Sequence, residues 1–185
     1  MHEHSTRARS AARWPTGHIG WVYRGMPEFE GRVASFLAEG HTRRERQVFI
    51  ADDPRASLWP KYLMARGSLI VLSTAEVYGP ERIADATAQR TAFESFLVEA
   101  RALGYTGLRV AADNTSLTSG PDRLGAWLRW EHEADLLMQA HPMTGLCAFD
   151  QTRSDPLTLE AVLSVHRTQH ATGPQPVQGP PTAPA

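Results

Sequence analysis

An arginine in the middle of a predicted strand is the feature of the sequence with the clearest chemical consequence. In "TGLRVAADNTSL", residues 106–117, Arg109 stands among apolar residues typical of a buried strand. Side chains alternate between the two faces of a strand, so Arg109 shares a face with Ala111 and Asp113. A buried guanidinium is very costly unless it is paired, and this arginine therefore requires a carboxylate. The alternative is an edge strand from which Arg109 reaches water.

Two carboxylates are candidates for that partner. Asp113 follows four residues later, about 13 Å along the strand, which makes a direct contact with Arg109 hard to achieve. Glu131 belongs to the predicted helix 122–141 and lies on a face that is otherwise apolar. A single charge on an apolar stripe commonly pairs with another charge. We therefore predict that Arg109 and Glu131 meet at a polar centre of the molecule.

The sequence contains none of the familiar motifs of catalysis. It has neither a G-x-x-x-x-G-K-[ST] phosphate loop nor a G-x-S-x-G nucleophile elbow, so ATP hydrolysis and serine hydrolase chemistry are not expected. Cys147 lies in an apolar strand, where a thiol usually packs as a small core residue. The spacing of His132, His141 and Cys147 matches no familiar zinc site. We predict no enzyme, no metal and no cofactor.

Composition and charge indicate a soluble globular chain. Its 185 residues are 42% hydrophobic and balance 19 basic against 20 acidic side chains, which gives no electrostatic reason to expect nucleic acid. One cysteine excludes an internal disulfide and fits a reducing compartment. No apolar run reaches the roughly 20 residues of a membrane span. We expect a cytoplasmic protein that binds neither nucleic acid nor membrane.

Both ends of the chain differ in composition from its centre. Residues 1–16 are mainly small or polar, and residues 171–185 are rich in Pro and Gly. Such segments do not bury enough apolar surface to order themselves. We predict a disordered arm over 1–16, a folded domain over 17–170 and a disordered tail over 171–185.

Between these ends, strand-like and helix-like segments alternate, as in α/β proteins with a parallel sheet. Five short apolar segments predict strands covered on both faces: 18–23, 47–52, 68–73, 107–112 and 144–149. Amphipathic stripes predict helices after Pro27, over 80–104 and over 122–141. A proline directly after Asp53 and after Asp155 marks two further helix starts. We predict a three-layer α/β fold with a mainly parallel sheet of five or more strands and helices on both faces.

Ligands of open α/β sheets bind beyond the carboxyl ends of the strands. The predicted strand ends carry polar residues: Tyr23, Arg24, Asp52, Glu76, Tyr78, Asp113, Asn114 and Asp150. Trp21, Trp127 and Trp130 lie in the same elements, and an apolar pocket with a few fixed polar groups is typical of small-molecule sites. The same residue types are equally typical of turn caps and of a packed core.

Four segments carry a resemblance to a known family. In chain order they are "GHIGWVY", "GYTGLRVAADNTSL", "WLRWEHEADLLMQAHPMTGLCAFD" and "LTLEAVLSVH". They resemble the successive blocks of the MEDS family, the methanogen/methylotroph DcmR-type sensory domain, and are most similar to its actinobacterial members. In those members the block is often joined to an anti-sigma-factor-antagonist domain or a histidine kinase, whereas here a Pro-rich tail follows it.

The resemblance implies a non-catalytic sensory module for small organic ligands, on a core similar to a degenerate RecA- or KaiC-type ATPase without a phosphate loop. By position in the matching blocks, it implies a ligand site that includes His18, Tyr23, Arg109, Asp113, Glu131 and Cys147. The signal would pass to a regulatory protein such as an anti-sigma factor, an antagonist or a histidine kinase, or through a homodimer. The alternative is a ligand-free scaffold for protein interactions on the same fold.

Overall fold

Strands and helices alternate along the chain in a computed structural model, which describes residues 14–54 and 68–170. The strands are β1 (His18–Tyr23), β2 (Arg46–Ala51), β3 (Leu69–Ser73), β4 (Leu108–Asp113), β5 (Met143–Asp150) and β6 (Thr168–His170). The α-helices are α1 (Met26–Thr42), α2 (Thr74–Tyr78), α3 (Ala86–Ala102), α4 (Pro121–Ala140) and α5 (Pro156–Ser164). Most of the predicted arm and tail lies outside the described residues. No helix within 14–54 or 68–170 has both the length and the apolar character to cross a membrane.

The six strands form one sheet in the order β3-β2-β4-β5-β1-β6, and every neighbouring pair is parallel. Parallel neighbours need crossover connections, and the helices that provide them cover both faces. One face packs against α1, and the other packs against α3, α4 and α5. The predicted α/β fold with a parallel sheet of five or more strands is therefore confirmed. The short edge strand β6 was not among the predicted strands.

The core is divided in two by the sheet, because successive side chains of each strand point to opposite faces. Under α1, the rings of Trp21, Tyr23 and Phe29 pack with centroids 4.7 to 6.3 Å apart. On the other face, Trp127 of α4 packs edge-on against Phe149 of β5, with centroids 5.3 Å apart. All five rings are buried. The aromatic residues of the predicted strands and helices thus act mainly as core.

Capping residues decide where the helices begin. The helix predicted over 80–104 begins only after Asp85, whose carboxylate accepts a hydrogen bond from a first-turn backbone N–H. Just before it, Arg82 has a φ of 53°, in the left-handed region, so a turn occupies that stretch. Asp155 caps α5 as predicted. The helix predicted after Asp53 falls on residues that the structure does not describe.

Arg109 is fully buried on the α1 face of β4, an inner strand of the sheet. Its Nε donates a 2.5 Å hydrogen bond to Glu45, and its Nη2 lies 3.9 Å from Glu39 Oε1. The guanidinium also lies 4.6 Å from the centre of the Phe36 ring, a cation–π contact. The predicted pairing with Glu131 is wrong, because Glu131 lies on the opposite face of the sheet. The alternative of an exposed arginine on an edge strand is wrong as well.

Gly40 of α1 provides the space that Arg109 occupies. A Cβ at Gly40 would lie 2.6 Å from Arg109 Cδ, so Gly40→Ala should lower the free energy of unfolding by about 2 kcal/mol through overpacking. Gly31 is exposed on the same helix, and nothing lies within 4 Å of a Cβ there. Gly31→Ala should instead raise stability by about 0.5–1 kcal/mol through helix propensity. Chemical denaturation compares the two variants, and a Gly40→Ala protein as stable as Gly31→Ala would contradict this packing.

Candidate functional site

Four buried polar side chains from different parts of the chain converge between α4 and the sheet. Glu131 lies on α4, His18 on β1 and Cys147 on β5, and His166 follows α5. Each residue is at most 7% exposed, in surroundings that are mainly apolar. One nitrogen, sulfur or oxygen atom from each side chain lies within 4.8 Å of the corresponding atoms of the others. We call these four residues the His-Glu-Cys cluster.

The Glu131 carboxylate is the centre of the cluster. Its Oε2 lies 2.8 Å from His18 Nε2 and 3.2 Å from His166 Nε2. The Cys147 thiol lies 3.9 Å from both carboxylate oxygens and 3.5 Å from His18 Nε2. A buried carboxylate requires partners of this kind, because an isolated charge in an apolar interior is very costly. Through them, α4 is joined to two strands and to the segment after α5.

The Glu131 carboxylate and the imidazoles shift the pKa values within the cluster through their electrostatic attraction. Burial raises the pKa of the Glu131 carboxyl, but the two imidazoles outweigh burial and hold that pKa below its ordinary value. Burial lowers the pKa of His18, yet the carboxylates of Glu131 and Asp135 outweigh burial and raise it. Burial first, and then the Glu131 charge, raise the pKa of the Cys147 thiol well above its ordinary value. The cluster therefore combines an ionised carboxylate with a protonated thiol.

Outer contacts orient both imidazole rings. His166 Nδ1 donates a 2.7 Å hydrogen bond to the Val162 carbonyl, and His18 Nδ1 lies 3.7 Å from Asp135 Oδ1. Gly20 of β1 lets the His166 ring approach the sheet, because a Cβ there would lie 2.7 Å from the ring Cγ. The Val162 carbonyl thus holds the His166 ring, Asp135 lies near His18 Nδ1 beyond hydrogen-bond distance, and both rings direct Nε2 toward the carboxylate at the centre.

A small cavity of about 30 Å³ lies against the cluster, between β4, β5, α3 and α4. Glu131 and Cys147 form part of its wall, and Asn114 and Tyr78 contribute further polar groups. The other lining residues are mainly apolar and include Phe93, Trp130, Ala134, Met138 and Met143. An apolar hollow with a few fixed polar groups is typical of a small-molecule site. Its size admits about one or two water-sized molecules.

The six predicted site residues fall in three separate places. Three of them meet in the cluster: His18, Glu131 and Cys147. Arg109 lies on the other face of the sheet, in its ion pair with Glu45. Tyr23 and Asp113 lie together at the carboxyl ends of β1 and β4, where the tyrosine hydroxyl donates a 3.1 Å hydrogen bond to Asp113 Oδ2. The chain therefore does not bring all six residues together in a single site.

The pair of Tyr23 and Asp113 organises the turn after β4. Asp113 Oδ1 accepts hydrogen bonds from the backbone N–H of Thr115 at 3.1 Å and from its hydroxyl at 2.6 Å. Burial raises the pKa of the Asp113 carboxyl, and burial together with the Asp113 and Asp150 charges raises the pKa of the Tyr23 hydroxyl. These contacts are those of a buried turn cap. For Tyr23 and Asp113 they agree with the second interpretation of the strand-end residues, as turn caps and not as a ligand site.

A second, wider cavity of about 350 Å³ lies beyond the ends of β2 and β4 and is lined by polar groups. Asp52 lies in its wall and accepts hydrogen bonds from Thr74, Ser116 and Arg82 at 2.5 to 3.0 Å. Burial raises the pKa of Asp52, but these hydrogen bonds outweigh it and lower the pKa. Three arginines also line this cavity: Arg82, Arg123 and Arg153. Its polar wall contrasts with the apolar hollow beside Glu131.

Comparison with protein families identifies the domain that contains the cluster. The family model of MEDS, the MEthanogen/methylotroph, DcmR Sensory domain, matches residues 17–167, which is most of the chain. The chain belongs to the MEDS family. The matched range holds all four residues of the cluster and every residue that lines the small cavity. Among curated proteins, none matches this chain.

One member of the cluster in this MEDS domain, His166, was not among the predicted site residues. A signal for it was present, because His166 ends the segment "LTLEAVLSVH" that contributes to the resemblance. Asp135 was also missed, although it lies one helical turn after Glu131 on α4. His132, which was considered for a metal site, is exposed and lies outside the cluster. The fold brings these residues together, and their spacing along the sequence does not show it.

Proposed function

We propose that this MEDS domain is a non-catalytic sensor that binds a very small organic molecule in the cavity beside Glu131 and Cys147. The observation that carries the proposal is the cavity itself, an apolar hollow of about 30 Å³ with a carboxylate and a thiol in its wall. Apolar walls favour a molecule with little polar surface, and the two polar groups supply one point of orientation. A ligand of about two non-hydrogen atoms matches this size, and a larger one requires the walls to move apart.

The chemistry of the lining favours binding over catalysis. A cysteine acts as a nucleophile through its thiolate, and the raised pKa of Cys147 keeps its thiol protonated. Glu131 is occupied by two imidazoles, and its lowered pKa makes it a weak base. The family's sensory character agrees with this assignment. The proposal therefore includes no reaction at the cavity.

Signalling requires that the ligand prefer one state of the domain over another, because equal affinity for both states shifts nothing. The cavity wall includes side chains from two strands and three helices, so a ligand that fills it would alter how α3 and α4 pack against the sheet. We propose that a regulatory protein binds the two states of the domain with different affinity. The expected class of partner is an anti-sigma factor, an antagonist or a histidine kinase. Its support is the sensory character of the family.

A thermal-shift experiment tests ligand binding at this cavity. The purified protein is heated in the presence of alcohols, aldehydes, amines, thiols and haloalkanes of up to three carbons. A compound that binds only the native state should raise the melting temperature in a saturable way, by an amount equivalent to about 2.7 kcal/mol at one hundred times its dissociation constant. We expect at least one of these classes to do so.

Two alanine substitutions on α4 locate the binding. Ala134 lines the cavity, so Ala134→Val should fill it and abolish the ligand-dependent shift, at a cost in stability of about 1–3 kcal/mol from overpacking. Ala140 is exposed on the same helix, and Ala140→Val should leave the shift unchanged. A shift that survives in Ala134→Val would place the ligand elsewhere. No shift with any class of compound would favour the alternative of a ligand-free interaction scaffold.

A further inference from the structure

The His-Glu-Cys cluster has the composition of a metal site. Its two imidazoles, one thiol and one carboxylate supply two nitrogens, one sulfur and one oxygen, all buried. We propose that the cluster binds one divalent transition-metal ion, with zinc as the best match. The sequence alone predicts no metal, because the spacing of His132, His141 and Cys147 matches no familiar zinc site.

The distances within the cluster agree with a tetrahedral ion. Zinc lies about 2.0–2.1 Å from histidine nitrogen and about 2.3 Å from cysteine sulfur, which places neighbouring ligand atoms about 3.3–3.7 Å apart. In the cluster, Glu131 Oε2 lies 3.2 Å from His166 Nε2, and Cys147 Sγ lies 3.5 Å from His18 Nε2. The remaining separations range from 2.8 Å, between His18 Nε2 and Glu131 Oε2, to at most 4.8 Å. Movements of a few tenths of an ångström to about 1 Å would bring all four atoms to one ion.

The His166 ring provides an independent indication. Its Nδ1 lies 2.7 Å from the Val162 carbonyl, which can only accept, so Nδ1 carries the hydrogen. The opposite nitrogen, Nε2, is fully buried and has no hydrogen-bond partner, although it lies 3.2 Å from the Glu131 carboxylate. This nitrogen and the Glu131 carboxylate oxygen therefore face each other without a well-aligned hydrogen bond, and an ion between them would bind to both atoms.

The surroundings of the imidazoles are those of metal ligands. Histidines that bind metals almost always direct their second ring nitrogen to a carbonyl or a carboxylate, which fixes the tautomer and the ring orientation. His166 uses the Val162 carbonyl in this way, and Asp135 lies 3.7 Å from His18 Nδ1. Gly20 keeps the His166 ring in place by close packing. The His166 ring is thus oriented before any ion arrives, and Asp135 is the carboxylate nearest to His18 Nδ1.

The donor atoms select the kind of ion. Zinc binding would displace the proton of the Cys147 thiol, and the resulting thiolate together with two imidazoles favours zinc and related transition metals over magnesium or calcium, which prefer oxygen ligands alone. Four protein ligands also complete the usual shell of a structural zinc. Such an ion would connect β1, β5, α4 and the segment leading to β6, directly beside the small cavity. The proposal goes beyond the sensor function and does not depend on it, since metal binding is measured without any organic ligand.

Metal content and cobalt spectroscopy test the proposal. The full chain is stripped with a chelator, reloaded with Zn²⁺ both as folded protein and during refolding, and assayed by elemental analysis. We expect close to one zinc per chain. Loading with Co²⁺ should produce a thiolate-to-cobalt charge-transfer band in the near ultraviolet and the visible bands of a tetrahedral ion. The two loading routes are needed because the cluster is buried.

Three variants distinguish zinc binding at the cluster from zinc binding elsewhere on the chain. Cys147→Ser should abolish the charge-transfer band and weaken Zn²⁺ binding about 100-fold or more, and Asp135→Asn should weaken it about tenfold by releasing His18. His132 is an exposed neighbour of Glu131, so His132→Ala should bind as tightly as the wild type. A folded wild-type chain that takes up no zinc by either route would overturn the proposal. So would a zinc affinity that is unchanged in Cys147→Ser or lost in His132→Ala.

Discussion

Arg109→Met should lower the free energy of unfolding by about 3 kcal/mol. The arginine is fully buried, and its removal leaves Glu45 without the guanidinium that neutralises it. Removing one partner of a buried ion pair typically costs about 3–5 kcal/mol, because the remaining charge stays in a poorly solvated place. The lower end applies here, since the Glu45 side chain is 15% exposed and regains some water. Chemical denaturation of the purified variant measures the loss.

The double mutant distinguishes pairing from simple loss of packing. If Glu45 is destabilising only because its partner is missing, Arg109→Met combined with Glu45→Gln should lose less stability than the sum of the two single variants. Arg90 provides a surface control, because its ion pairs with Glu94 and Glu133 are far less buried than that of Arg109, and Arg90→Met should change stability little. Additive losses for Arg109 and Glu45 would contradict the buried pair.

Glu131→Ala should also lower the free energy of unfolding by about 3 kcal/mol. The substitution removes the carboxylate that His18, His166 and Cys147 surround and enlarges the neighbouring cavity, and both effects destabilise the fold. Glu131→Gln should lose only about 1–2 kcal/mol, because it keeps the volume and one acceptor oxygen and because His18 can release its proton. Denaturation in the presence of a chelator measures these losses without any contribution from bound metal.

A neighbouring glutamate on α4 serves as the control for this substitution. Glu133 forms its ion pair with Arg90 at the surface, and Glu133→Ala should leave stability nearly unchanged. The contrast between positions 131 and 133 isolates burial as the cause, since both are glutamates in the same helix. A Glu131→Ala protein as stable as Glu133→Ala would show that the cluster does not hold α4 to the sheet.

The sheet could be predicted from sequence because its inner strands are buried on both faces. Their apolar segments stand out, and the five predicted strands agree with β1 to β5 within one residue at each end. The edge strand β6, "TQH", is polar and only three residues long. Its position depends on pairing with β1, through contacts such as Gly20 with Gln169, and not on any local pattern. Tertiary contacts therefore determine where this strand forms.

The burial of Arg109 and of Glu131 was predictable, but their partners were not. A guanidinium among strand residues and a carboxylate on an apolar helix face both indicate buried charges. Pairing them with each other required knowing that the same helix covers that face of β4, and periodicity does not supply this information. Arg109 instead faces α1, where Gly40 admits it, while Glu131 meets two histidines that are distant in sequence. The topology of the fold, and not the spacing of residues along the sequence, determines which side chains contact Arg109 and Glu131.

Methyl NMR of the methionine side chains tests the central claim, that the cavity beside the cluster admits a small organic ligand. Met138 and Met143 line the cavity, whereas Met26 is 48% exposed at the start of α1 and serves as an internal reference. In a titration with a compound that raises the melting temperature, the Met138 and Met143 methyl signals should shift in a saturable way while that of Met26 stays in place. Unchanged Met138 and Met143 signals, or equal shifts of all three methyl groups, would contradict a ligand in the cavity.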